Sequence, residues 1–238
     1  MIHRQHPQYI EFPDPKLANK HGFLAHGGDL SLTTLLSAYQ QGIFPWFNDH
    51  EPILWWSPDP RMIMPTADIH ISRSLKKTIR SERFTVTCGQ AFTDVIESCS
   101  KPRTSDKSAN FLEQEPQTWL TQDMKTAYIE LHKAGFAQSI ECWHENRLVG
   151  GLYGVTIAGM FFGESMFSIE SNSSKVALVA LCRHLNKYGI SWIDCQVESK
   201  HLLSLGAIHY SRNSFIKKLK YHVENPREIP WNDFETQP

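Results

Sequence analysis

Three runs decide the fold: Leu148-Val149-Gly150-Gly151-Leu152-Tyr153-Gly154-Val155, then Gly159-Met160-Phe161-Phe162-Gly163-Glu164-Ser165-Met166-Phe167, then Ile193-Asp194-Cys195-Gln196-Val197. Each is rich in β-branched and aromatic residues and bounded by turn residues, the pattern of a strand. Between the second and third lies an apolar-periodic stretch through Val176, Leu178, Val179, Leu181, Cys182 and Leu185. It opens at Ser173 and stops at Gly189, which predicts a helix. Strand, helix, strand implies a crossover and a parallel pairing. Two carboxylates, Glu164 and Asp194, stand in these apolar runs, and a carboxylate there needs a reason.

Working outward, Ser139-Ile140-Glu141-Cys142-Trp143 alternates, and Glu145-Asn146-Arg147 turns the chain back into Leu148–Ile157, so an antiparallel meander precedes the crossover. Upstream, Phe84–Thr87 reads as a short strand, with helices over Phe92–Cys99 and from Met124 to Leu131. Residues 101–116 are polar and aperiodic, a loop. Downstream come short helices over 201–205 and 214–220 and a loose tail from Pro226. The first 65 residues differ. They hold one helix, capped by Ser31, with Leu35, Leu36 and Tyr39 on its apolar face and Gly42 at its end. The rest is Pro- and Trp-rich with little regular structure. Pro65-Thr66 reads as a boundary, giving a small domain over 1–65 and a larger one over 66–238.

The chain has 238 residues, 41% hydrophobic and 21% charged, with formal net charge -1. That is a globular composition with no global signal for nucleic acid, so any basic site is local. Ser72 caps a helix on which Arg73, Lys76, Lys77 and Arg80 share a face. That face is either a solvated surface or a phosphate-binding strip. No apolar leader opens the chain, and the longest apolar run, Val176–Cys182, is too short to span a bilayer. Five cysteines without a CxxC pair read as reduced thiols of a cytoplasmic protein. The twelve histidines show no metal-ligand spacing.

Asp194 and Gln196 stand two apart on a strand and share a face, with Ile193, Cys195 and Val197 on the other. They are either a polar pair at a strand end or a carboxylate–amide pair that orients an amine. Strict alternation puts Phe162, Glu164 and Met166 together, and a bulge at Gly163 would alter that. Glu164 could receive a cationic substrate group or pair with Lys175 or Arg183. Trp46, Trp55 and Trp56, among prolines and phenylalanines, are either a small aromatic core or a stacking surface.

At these residues the sequence resembles the bacterial leucyl/phenylalanyl-tRNA–protein transferases. The resemblance rests on Phe12-Pro13-Asp14-Pro15, Gly27-Gly28-Asp29-Leu30-Ser31, Gly42-Ile43-Phe44-Pro45-Trp46-Phe47, Trp55-Trp56-Ser57-Pro58-Asp59-Pro60-Arg61, Leu148–Val155, Gly163–Ser168, Ile193-Asp194-Cys195-Gln196 and Ser204-Leu205-Gly206-Ala207. It implies an α+β chain, with a small N-terminal domain followed by an acetyltransferase-like (GNAT) mixed-sheet domain. It implies transfer of Leu or Phe, and Met less well, from aminoacyl-tRNA to proteins beginning with Arg or Lys, in the N-degron pathway. By the matching positions, Leu152, Phe161, Leu178, Leu181 and Leu185 would line the aminoacyl pocket and Trp46 would hold the terminal adenosine. Arg73, Lys76, Lys77 and Arg80 would bind tRNA backbone, with Asp194, Gln196 and Glu164 at the reaction centre. No cofactor, metal or membrane is expected, and the protein is expected to be a monomer. Two other readings compete: a CoA-dependent N-acetyltransferase and a non-catalytic RNA-binding module. The first wants a glycine-rich turn before the crossover helix, where this chain has Ile169-Glu170-Ser171-Asn172-Ser173-Ser174-Lys175.

Overall fold

Alternating and continuous apolar runs make the strands here, and their pairing can be followed in the computed structural model, which describes residues 9–101 and 120–235. The N-terminal part contains β1 (Phe23–His26), α1 (Leu32–Gln40), β2 (Phe44–Pro45) and β3 (Leu54–Trp56). Its strands form a three-stranded antiparallel sheet in the order β1-β3-β2. The expectation of little regular structure was therefore wrong. Strands of two to four residues carry too few alternations to show a period. Ser31 caps α1 as expected, accepting from the Thr34 N–H.

The rest comprises β4 (Arg61–Pro65), α2 (Arg73–Arg80), β5 (Thr85–Cys88), α3 (Phe92–Cys99), α4 (Gln122–Lys133), β6 (Ala137–His144), β7 (Arg147–Ile157), β8 (Met160–Ser168), α5 (Ser173–Lys187), β9 (Trp192–Gln196), α6 (Lys200–Ser204), β10 (Ile208–Tyr210) and α7 (Arg212–Glu224). Seven strands form one mixed sheet, β10-β4-β9-β8-β7-β6-β5. The meander β5 to β8 is antiparallel, and the crossover through α5 makes β8 and β9 parallel, as the pattern required. β4 lies on the N-terminal side of the Pro65-Thr66 boundary, yet it runs between β9 and β10 inside this sheet. The loop expected over 101–116 falls, beyond Lys101, outside the described residues.

The sheet is covered on both faces. On one side α5 and α2 bury Leu178, Leu181, Leu185 and Leu75 against Phe161, Ile193 and Leu152. On the other, α1, α3, α4 and α7 bury Tyr39, Val95, Tyr128 and Phe215 against Tyr153, Phe162 and Trp192. The second core includes residues of both parts of the chain, so the small sheet is seated on the large domain. The tail from Pro226, expected to be loose, is packed instead. Ile229 is buried on the α5 side, and Trp231 stacks on His184 at 5.3 Å and meets Phe161 edge-on at 6.0 Å. Its isolated apolar residues lacked the spacing that would have announced this.

Candidate active site

β8 and β9 pair only at Phe161↔Ile193 and Phe162↔Asp194. Beyond that point β8 continues beside β7 alone, and the two parallel strands separate. The cause lies in both strands. In β8, Gly154 pairs with Gly163 and Tyr153 with Ser165, so Glu164 is an extra, bulged residue. Position 154 must be glycine for this to close, since a Cβ there would lie 2.2 Å from the Phe162 carbonyl oxygen. In β9, Gln196 has φ +57 and the Val197 N–H bonds the Cys195 carbonyl at 2.7 Å. That is the rare γ-turn of positive φ, strained for a side-chain-bearing residue.

The gap opens into a cleft of about 820 Å³. Its apolar wall includes Leu152, Phe161, Leu178, Leu181, Met166 and Ile193, and its polar edge carries Glu164 and Gln196. Leu152, Phe161, Leu178 and Leu181 are thus brought together as the resemblance implied. Leu185, one turn beyond Leu181, is fully buried in the core and does not reach the cleft.

The bulge turns Glu164 away from its strict-alternation partner. Phe162 and Glu164 face the α1–α4 side, whereas Met166 packs on the α5 side. Glu164 accepts from the Tyr39 hydroxyl at 2.7 Å and the Tyr128 hydroxyl at 2.8 Å, one on each carboxylate oxygen. The two hydroxyls lie 2.8 Å apart, and the Gln196 amide nitrogen is 3.4 Å from the same carboxylate. Neither Lys175 nor Arg183 is its partner. Burial pushes the Glu164 carboxyl up to about 7, the tyrosine hydroxyls hold it down, and the Asp194 charge adds to the rise. The tyrosines are themselves pushed well above their ordinary range by burial, so they remain neutral donors.

Asp194 takes a different place from Gln196. It is fully buried, and Arg61 grips it with Nε at 2.8 Å and Nη2 at 2.7 Å. Arg61 is also fully buried, donates to the Gly42 carbonyl and sits 4.9 Å and 4.5 Å from the Phe44 and Phe215 ring centres. One Asp194 oxygen accepts the Gln196 backbone N–H at 3.0 Å. The carboxylate therefore fixes the γ-turn, and through it the direction of the Gln196 side chain. It does not line the cleft.

Three residues of this network escaped the sequence reading: Arg61, Tyr39 and Tyr128. Both tyrosines lie on apolar helix faces, where a phenol ring reads as core. Their phenol oxygens gave the one available hint, because a buried hydroxyl needs a partner.

Arg73, Lys76, Lys77 and Arg80 are exposed on α2, whose Ser72 cap is formed, and none makes an ion pair among the described residues. Trp46 is 41% exposed, tilted against Trp56 at 5.8 Å, and is not part of the cleft wall. Trp55 is the buried member of the trio. None of the five cysteines is in a disulfide, and burial raises Cys195 well above its ordinary range, which suits packing rather than nucleophilic attack. No helix among the described residues is long and apolar enough to cross a membrane.

The chain is also similar to known proteins. The sequence model of the leucyl/phenylalanyl-tRNA protein transferases matches residues 63–220, and that of their N-terminal domain matches residues 28–59. A leucyl/phenylalanyl-tRNA–protein transferase of Pseudomonas syringae pv. syringae is 46% identical over 225 residues, 94% of either chain. One of Hahella chejuensis is 48% identical over 94% of this chain and 92% of its own. One of Psychromonas ingrahamii is 49% identical over 89% of this chain and 86% of its own. With both parts of the chain matched and nearly full-length relatives at this identity, the chain belongs to the leucyl/phenylalanyl-tRNA–protein transferase family.

Proposed function

We propose that the cleft between β8 and β9 is where the protein transfers leucine or phenylalanine, and methionine less well, from aminoacyl-tRNA to the amino terminus of a protein that begins with Arg or Lys. The observation that carries this is the junction of an apolar cleft with the Glu164–Gln196 edge. The donor side chain lies against Leu152, Phe161, Leu178 and Leu181. An apolar wall rejects charged side chains by desolvation but separates apolar ones by only about 1–3 kcal/mol per methylene. The ester then reaches the polar edge. There the Gln196 amide aligns the acceptor amine and Glu164 receives the cationic acceptor end.

The amine nitrogen attacks the ester carbonyl carbon. The bond from that carbon to the ribose oxygen breaks, the amine gives up a proton, and the ribose oxygen gains one. An α-amine of pKa about 7.7–8.0 is partly neutral near pH 7, so positioning can supply most of the acceleration. Asp194 contributes through Gln196, by holding its turn. The exposed cations of α2 meet tRNA phosphates, and Trp46 offers a ring for the terminal adenosine. Such substrates place the protein in the cytoplasm.

The test is incubation with labelled Phe-tRNA and an Arg-initiated peptide. Label should move to the peptide, and Glu164→Ala or Gln196→Ala should lower that transfer at least tenfold. Acetyl transfer from acetyl-CoA without aminoacyl transfer would overturn the reading, as would RNA binding without turnover.

A further inference from the structure

α5 begins at the cleft, and its first turn is left open. Asn172, the cap residue, is in the left-handed region at φ +70, and its side chain makes no cap hydrogen bond. Its carbonyl takes the Val176 N–H, and the Ser173 N–H bonds the Glu170 carbonyl. The N–H groups of Ser174 and Lys175 have no acceptor among the described residues. Such groups carry the positive end of the helix dipole and bind anions readily.

The second observation is the Ser174 side chain. It lines the cleft and is only 6% exposed, yet its hydroxyl has no hydrogen-bond partner among the described residues. Its neighbour shows what satisfaction looks like. Ser173 Oγ lies 2.8 Å from both the Val149 and Glu170 carbonyls and 2.9 Å from Ser168 Oγ. A hydroxyl open to the cleft and without a protein partner, on a residue otherwise covered and beside two open N–H groups, suits an anionic acceptor.

The surroundings favour a phosphate. The Asn172 side chain donates to Thr78 Oγ1 at 3.0 Å, tying this helix start to the basic helix α2. The nearby Glu170 carboxylate is engaged by Arg83 at 3.0 Å and His144 at 2.9 Å, so its charge is offset. Along α5, Ser174 stands seven residues before Leu181 in the apolar wall, two turns or about 10 Å. That spacing suits a ligand running from an amino-acid side chain, through an ester and a ribose, to the ribose 5′-phosphate.

We propose that the Ser174 hydroxyl and the open N–H groups of Ser174 and Lys175 bind the 5′-phosphate of the nucleotide that carries the donor amino acid. The site does for the RNA end what a glycine-rich turn would do for a pyrophosphate, with a hydroxyl added to the backbone donors. The assignment rests on the reading of the cleft as an aminoacyl-RNA site.

Two minimal donors test it: phenylalanyl-adenosine, and the same ester bearing a 5′-phosphate. Each is offered with an Arg-initiated peptide, and the ratio of their kcat/KM values is measured. The wild-type protein should favour the phosphorylated donor. Ser174→Ala should lower the ratio several-fold and Ser174→Asp, which sets a charge against the phosphate, about 10-fold or more. Turnover of the unphosphorylated donor reports that each variant is folded. A wild-type ratio near one, or a ratio that neither variant changes, overturns the phosphate assignment while leaving the transferase reading intact. A wild-type protein that uses neither these esters nor Phe-tRNA overturns the reading beneath it.

Discussion

Replacing Asp194 with Asn removes one charge from a pair that has no access to water. Arg61 and Asp194 are both fully buried and joined by two short bonds, and the remaining guanidinium contacts are a carbonyl and two phenyl rings. Without the carboxylate, the arginine charge stays in the core with only neutral company. Removing one partner of such a pair costs about 3–5 kcal/mol. For a chain of this size each kcal/mol lowers Tm by about 2–4 °C, so a fall on the order of 10 °C is expected. Urea unfolding followed by tryptophan fluorescence measures the loss directly. The double variant Arg61→Met/Asp194→Leu should recover most of the stability, because an apolar pair can replace a buried ion pair at little cost. It should not recover peptide transfer, since nothing then accepts the Gln196 N–H and the γ-turn loses its support. If Asp194→Asn costs less than about 1 kcal/mol, the buried-pair argument is wrong. If the double variant transfers at the wild-type rate, the positioning role is wrong.

The raised Glu164 carboxyl makes a pH prediction with a definite sign. Its value is about 7 in the folded protein against 4.5 as the ordinary value, so the folded state holds its proton more tightly. Stability from this group is present in full below about pH 4.5 and is lost as pH rises to about 7. Glu164→Gln should therefore gain stability over wild type at pH 8, by at most about 3 kcal/mol, and gain little at pH 4. In transfer assays, the KM for an Arg-initiated peptide should fall as pH rises through about 7 in the wild type, an inflection absent from Glu164→Gln. Tyr39→Phe and Tyr128→Phe each remove a bond that stabilises the ionised carboxylate, so both should move that inflection upward. On α2, Lys76→Ala, Lys77→Ala and Arg80→Ala should weaken Phe-tRNA binding. Each should flatten the dependence of log KM on log salt by about one unit for every phosphate it leaves unneutralised, while kcat stays within twofold.

Much of the large domain was legible because its elements are long and locally bounded. The hairpin from β6 to β7 turns at Glu145 and Asn146, both at positive φ, and the crossover through α5 fixes the parallel pair. β4 and β10 were not legible, because Arg61–Pro65 shows no alternation, β10 has only three residues, and their partners lie far along the chain. The site divided the same way. Glu164 and Asp194 stood out as carboxylates in apolar runs. Their partners did not, since Tyr39 and Arg61 come from the N-terminal part and nothing local marks a contact across such a separation. The departure of Gln196 from a regular strand was equally hidden, because a left-handed residue that is not glycine has no spelling in the sequence.

The place of β4 in the sheet has a consequence for how the protein is made. Both of its neighbours, β9 and β10, are among the last segments synthesised, and Arg61 waits 133 residues for Asp194. At ordinary ribosomal speeds of about 5–20 residues per second, that wait is roughly 7–27 s. Through it, β4 has open edges on both sides and a cation with no counter-charge. A chain released early cannot complete the β10-β4-β9 side of its own sheet, and Gln196 is absent from the same fragments. Incomplete products of translation are thus barred from attaching degradation signals to other proteins.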